Sequence, residues 1–181
     1  MKTKVEIIIG CMFSGKSTEL LRRCNRFKSI NKKILLINHV HDIRTKDNIK
    51  THDNFETNAL KIDNLSTIFE KYNDLYNNSD VIGIDEAQFF PDLKEFILKS
   101  ENDSKVIIIA GLDGDSDRNP FGQVLECIPL CDDVVKLKAL DMLSNDGSYA
   151  LFSKRIVNSN EKVLVGSSDK YIAVNRENYL K

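Results

Sequence analysis

Val5–Arg23 reads VEIIIGCMFSGKSTELLRR, and this stretch decides the architecture. A near-continuous apolar run, Val5 to Ile9, leads into a loop with glycine at both ends. A charged segment follows in which Leu20, Leu21, Cys24 and Phe27 recur at helical spacing. A strand, a loop and a helix are expected in that order. Gly10, Gly15, Lys16 and Ser17 satisfy G-x-x-x-x-G-K-[ST], whose glycines let successive backbone N–H groups turn inward on a phosphate at a helix N-terminus. In such loops the lysine reaches the β and γ oxygens and the hydroxyl joins Mg2+. Gly10, Cys11, Met12, Phe13, Ser14, Gly15, Lys16, Ser17 and Thr18 are accordingly assigned to phosphate binding, with a nucleoside triphosphate as donor.

Outward from this loop, short β-branched runs alternate with helix-like segments: KKILLINH, LSTIFEKYNDLY, VIGID, DLKEFILKS, KVIIIAGLD and DVVKLKAL. That alternation predicts an α/β fold, a parallel sheet of the P-loop NTPase kind covered by helices. Two segments interrupt it: polar HDIRTKDNIKTHDNFETN, and everything after Leu140. In the second, ALFSKRIV and EKVLVG read as a β-hairpin around NSN, with SSDKYIAV behind it. The expected division is a nucleotide-binding domain over residues 1–140 and a small lobe over 141–181. VIGIDEAQFF places Asp85 and Glu86 at the carboxyl end of a strand expected to lie beside the first, where ligands of open α/β sheets collect. Asp85 suits the Mg2+ side of such a site, which leaves Glu86 to act on whatever attacks the γ-phosphate.

Composition narrows the partners. In 181 residues, 26 Lys and Arg nearly balance 27 Asp and Glu, so no net field favours nucleic acid or an anionic membrane. The apolar runs fall well short of the roughly 20 residues that span a bilayer, and MKTKVEI has no signal-peptide core, so a cytoplasmic location is expected. Cys11, Cys24, Cys127 and Cys131 lack disulfide-framework spacing and are expected as free thiols. Arg22, Arg23, Arg26, Lys28, Lys32 and Lys33 read as a solvated face near the second strand, and His39 and His41 as surface or capping residues rather than metal ligands.

GCMFSGKSTELLRR, DIRTKDNIKTHD, IDEAQFF, GLDGDSDRNPFG, VVKLKAL, FSKR and SSDKY occur in an order and spacing that resemble the cytosolic-type (type II) thymidine kinase family, which includes poxvirus members. The resemblance covers essentially the whole chain. It implies transfer of the ATP γ-phosphate to the 5′-hydroxyl of thymidine, with Glu86 matching the catalytic base. Arg44 matches an arginine placed to contact phosphates, Asp42 a nearby acid, and Gln88 is grouped with the phosphate-binding set. Met12, Phe89, Leu112, Phe121 and Tyr171 resemble the apolar wall around the thymine, although each taken alone also reads as ordinary core. Leu164, Val165, Gly166 and Ser167 stand where backbone groups of a C-terminal lasso read the base edge. Tetramers are usual in the family.

Two positions depart from the pattern. Ser116 stands where many members carry a phenylalanine near the base. Asp141, Ser144, Asn175 and Asn178 occupy the positions of two C-x-x-C pairs that hold structural zinc in the family, so no zinc is expected here. Two rival readings share the same loop: a P-loop ATPase of another class in which Glu86 polarises water, and a catalytically impaired interaction module.

Overall fold

The computed structural model describes residues 2–42, 48–50, 56–157 and 169–181. Six parallel strands form the central sheet: β1 (Lys4–Gly10), β2 (Ile34–His39), β5 (Leu60–Ile62), β6 (Val81–Ile84), β7 (Val106–Gly111) and β8 (Asp133–Leu137). Their order is β5-β2-β6-β7-β1-β8. The β-branched runs form strands because both faces are covered, and Ile7, Ile8, Ile82, Ile84 and Ile107 to Ile109 are wholly buried. One face carries α1 (Lys16–Lys28), whose Leu20, Leu21 and Cys24 pack on Ile8, Val81 and Ile108. The other carries α4 (Leu93–Ser100), with Phe90, Leu93, Phe96 and Ile97 against Ile7, Ile84 and Ile109. No helix among the described residues is long and apolar enough to cross a membrane.

Several expectations are corrected. β6 does not lie beside β1, because β7 is inserted between them and pairs with both. The segment from Leu65 forms two short helices, α2 (Ser66–Lys71) and α3 (Asn73–Asn77), since Tyr72 leaves the helical region at φ −121°. The α2 N-terminus is capped from a distance: the Asp92 carboxylate accepts from Leu65 N at 2.9 Å and Ser66 N at 2.7 Å. A short antiparallel pair joins β3 (Asn48–Lys50) and β4 (Glu56–Asn58).

Beyond the sheet, β9 (Ala139–Leu140) pairs with β10 (Tyr149–Ala150). β11 (Phe152–Arg155) pairs antiparallel with β12 (Tyr171–Val174), and α5 (Arg176–Leu180) follows. FSKR pairs with YIAV, while EKVLVG lies wholly outside the described residues, as do Arg44 and Leu164, Val165, Gly166 and Ser167. Of the basic residues, Arg22, Arg26, Lys28, Lys32 and Lys33 are exposed, as a solvated face requires, and Arg23 is half-buried. Arg23 bonds to Glu6, Glu19 and Asp133 on the β1/β8 side, and Lys32 pairs with Asp80 before β6. All four cysteines are free thiols.

Candidate active site

β1 ends at Gly10, where φ is +149° and a Cβ would sit 2.6 Å from the Leu137 carbonyl oxygen, so only glycine lets the chain turn away there. The loop then closes on itself. Ser14 Oγ donates to Cys11 O at 2.8 Å, Lys16 Nζ donates to the same oxygen at 2.7 Å, and Phe13 adopts φ +64°. Gly15, at φ +82°, leads into α1, whose first turn has no side-chain cap. The first N–H groups and the dipole of such a terminus suit an anion.

Two bonds sew this loop to the far end of the chain. Met12 N donates to Ser153 Oγ at 2.9 Å, and Cys11 Sγ donates to Ala150 O at 3.6 Å. Ser153 belongs to the FSKR motif but carries no sequence signal for this contact, because the two residues are 141 positions apart.

The acidic pair arrives from β6. Asp85 is buried and its N–H bonds to Ile37 O at 2.9 Å. Glu86 turns into the left-handed region at φ 52°, ψ 39°, opening the 3-10 turn Ala87–Phe89. Gln88 Nε2 donates to Glu86 Oε2 at 2.6 Å. These groups share one electrostatic neighbourhood with Lys16: burial pushes its ammonium below the usual lysine range, opposed by the carboxylates of Glu86, Asp85 and Asp113. The glycine-bounded loop with Lys16, which follows β1, and the two acids, which follow β6, thus lie at the same carboxyl edge of the sheet, with β7 between the two strands.

Against this geometry, the family model for thymidine kinase matches residues 3–179. The chain belongs to the thymidine kinase family. It is 44% identical to thymidine kinase 1 of Dictyostelium discoideum, over 97% of this chain and 77% of that protein. It is 41% identical to the thymidine kinase of rabbit fibroma virus (strain Kasza), over 97% and 95%. The match to that of vaccinia virus (strain Western Reserve) is 41%, over 97% and 96%.

Other positions given a role by the thymidine kinase resemblance fall into two groups. Phe89 and Phe121 meet edge to face at 5.5 Å between centroids, and Leu112 N reaches Gln88 Oε1 at 3.0 Å, so three wall residues adjoin the acidic turn. Tyr171 is buried on β12 with the Arg155 guanidinium 5.8 Å from its ring centroid. Asp42 is buried and accepts from Asn38 Nδ2 at 2.8 Å. Ser116 offers its carbonyl to Tyr179 Oη at 2.7 Å, which ties α5 to the GLDGDSD loop.

His39 corrects the sequence reading. It is buried, with its ring 4.8 Å from Phe90 and 5.4 Å from Phe89. Nδ1 accepts from His41 N at 3.1 Å and Nε2 faces Asp63 O at 3.3 Å, which fixes the neutral tautomer with the proton on Nε2. Burial, then the charge of His41, pull its pKa down.

At the four positions where the family resemblance puts zinc cysteines, polar side chains bond to one another. Asp141 Oδ1 accepts from Leu143 N at 2.9 Å, Ser144 N at 2.6 Å and Asn178 Nδ2 at 3.0 Å, and Oδ2 accepts from Asn175 N at 2.5 Å. Asn178 Nδ2 also reaches Ser144 Oγ at 2.8 Å, and Asn175 Oδ1 caps α5 by accepting from Asn178 N at 2.8 Å. Burial pushes the Asp141 carboxyl up, but the amides of Asn175, Ser144 and Leu143 and the Asn178 side chain outweigh it and hold its pKa at about 2. Composition gave no warning of this knot, since Asp, Ser and Asn read as ordinary turn residues.

Proposed function

We propose that this chain transfers the γ-phosphoryl group of ATP to the 5′-hydroxyl of thymidine, giving thymidine monophosphate. One observation carries the reading: Glu86, on its left-handed turn after β6, and Lys16, after β1, are delivered to the same carboxyl edge of the parallel sheet. The loop amides and the α1 N-terminus bind the donor phosphates, and Lys16 follows the charge that develops on the γ-phosphoryl oxygens. Glu86 takes the proton from the 5′-hydroxyl as its oxygen attacks phosphorus and the bridging oxygen leaves with ADP. Arg44 assists at the phosphates.

The Ser17 hydroxyl and Asp85 carboxylate are hard oxygen donors of the type that suits Mg2+, which keeps several waters and takes phosphate oxygens for the rest. Bound there, the ion would neutralise charge between the β and γ phosphates. Phe89, Phe121, Leu112, Met12 and Tyr171 enclose the thymine, and Leu164 to Ser167 read its edge. Residues 141–181 form the lobe that closes over the nucleoside, held by the Asp141 knot without zinc. The assembly is a cytoplasmic homotetramer.

The test is label transfer from γ-labelled ATP to thymidine. Labelled thymidine monophosphate is expected, and folded protein yielding none rejects the reading. Hydrolysis of ATP that ignores nucleosides would point instead to an ATPase. Lys16→Ala is expected to weaken ATP binding roughly 10- to 100-fold and to slow turnover as well, the worth of one charge-assisted hydrogen bond. Equilibrium titration with an ATP analogue checks this, and unchanged affinity together with unchanged rate counts against the phosphate-loop assignment.

A further inference from the structure

Gln88 sits two residues beyond the proposed base, and its side chain has a settled direction. It is 3% exposed. Its carboxamide is used at both ends: Nε2 donates to Glu86 Oε2 at 2.6 Å and Oε1 accepts from Leu112 N at 3.0 Å. An amide flipped by 180° would set oxygen against carboxylate and N–H against N–H, so its two partners dictate a single orientation. The backbone around it leaves little room to move. A Cβ on Gly122, at φ +59°, would lie 2.1 Å from the Gln88 carbonyl oxygen, and one on Gly111 would lie 3.2 Å from Gln88 Oε1.

The carboxylate needs such a support. Glu86 stands in the left-handed region on a tight turn, a conformation that costs a non-glycine residue about 1 kcal/mol and is kept only where surroundings enforce it. A hydrogen bond from a buried, immobile amide fixes one carboxylate oxygen, and a neutral donor does so without competing for the substrate proton. The other end of the amide grips the backbone of Leu112, directly after β7, and Phe89 adjoins Gln88 in sequence as Phe121 adjoins Gly122.

We propose that Gln88 is a positioning residue, a rigid bridge that holds the Glu86 carboxylate at a fixed place relative to the nucleoside wall at Leu112. The inference rests on the reading of Glu86 as the base for a nucleoside hydroxyl. It goes beyond that reading by making the alignment of acceptor and base depend on one buried amide. A bridge of this kind acts on the geometry of attack, where misplacement by about 1 Å costs on the order of 10²-fold in rate, and leaves substrate affinity alone.

The test is a double-mutant cycle with steady-state kinetics on the full chain. Gln88→Met keeps the volume and removes both polar ends. It is expected to lower kcat roughly 10- to 100-fold while KM for ATP and thymidine stays within about threefold. Added to Glu86→Gln, the same change is expected to cost less than about twofold, because no base remains to be positioned. An equal loss in both backgrounds, or a rise in KM with kcat intact, overturns the proposal.

Gln88→Glu is a second route should the methionine variant fail to fold. It keeps the acceptor for Leu112 N but replaces the donor to Glu86 Oε2 with an oxygen, so kcat is expected to fall at least as far as in Gln88→Met with KM for ATP and thymidine within about threefold. A kcat that matches the parent overturns the proposal. A readout free of turnover separates this from failure of the kinase reading. The Gln88 side-chain amide in proton–nitrogen spectra is expected to exchange slowly and to shift on Glu86→Gln, and a fast-exchanging amide that ignores Glu86→Gln would refute the bridge even in an active enzyme.

Discussion

Glu86→Gln is expected to lower kcat roughly 10² to 10⁴-fold while ATP and thymidine affinities stay within a few-fold, the usual worth of a general base. The substitution keeps shape and chain length, so the left-handed turn at φ 52° and the packing of Ala87 and Gln88 beneath it survive. What is lost is a group able to accept the hydroxyl proton in the transition state. In the proposed function, ground-state binding depends on other parts: the loop amides and Lys16 for phosphate, the aromatic residues for the base. The effect therefore falls on kcat and hardly on KM. Single-turnover measurement of label transfer isolates the chemical step, and a variant with near-parental kcat would remove Glu86 from that role.

Asp141→Ala is expected to destabilise the protein by about 2–4 kcal/mol, because a buried anion that accepts four hydrogen bonds disappears and strands its donors, some of which recover water. For a chain of this size that lowers the thermal midpoint by roughly 5–15 °C. Cleavage by proteases after Leu140 should increase, and thymidine should suppress it by favouring the closed lobe. The pH dependence has a definite sign. With the carboxyl held at about 2, below the unfolded value, its contribution is fully present above about pH 4 and is lost as pH falls through about 2. Zinc chelators should leave the midpoint unchanged. A variant melting with the parent, or a parent destabilised by chelation, would overturn the metal-free account of this lobe.

The strand-loop-helix at Val5–Lys28 was legible because two periodicities meet there, an apolar run of strand length and a 3.6-residue face, with glycines at the junction. Asp85 and Glu86 were legible because a buried strand ending in two acids is a local pattern. What escaped the sequence is non-local. The insertion of β7 between β1 and β6 is a matter of strand order, on which side-chain period is silent. The pairing of β11 with β12 joins segments that flank residues 156–170, and no turn residue announces it. The burial of His39 depends on Phe89 and Phe90 arriving from another element, and its alternation with His41 gave the strand face but not the partner. Likewise Asp141, Ser144, Asn175 and Asn178 make sense only once the segment after β9 meets the start of α5, since hydrogen-bond complementarity between distant polar residues leaves no period to read.

The bonds from Met12 to Ser153 and from Cys11 to Ala150 set the order in which the molecule can mature. The glycine-bounded loop after β1 leaves the ribosome well before its partners, since the groups that pin two of its residues are made about 140 residues later, on the order of 7–30 s at ordinary synthesis rates. β1 waits in the same way, because its neighbours β7 and β8 are both translated after it. A nascent chain can have α1 formed and its apolar face collapsed while the nucleotide site is still incomplete. The loop proposed to hold a triphosphate thus reaches its final shape late, and an unfinished chain has no finished loop there.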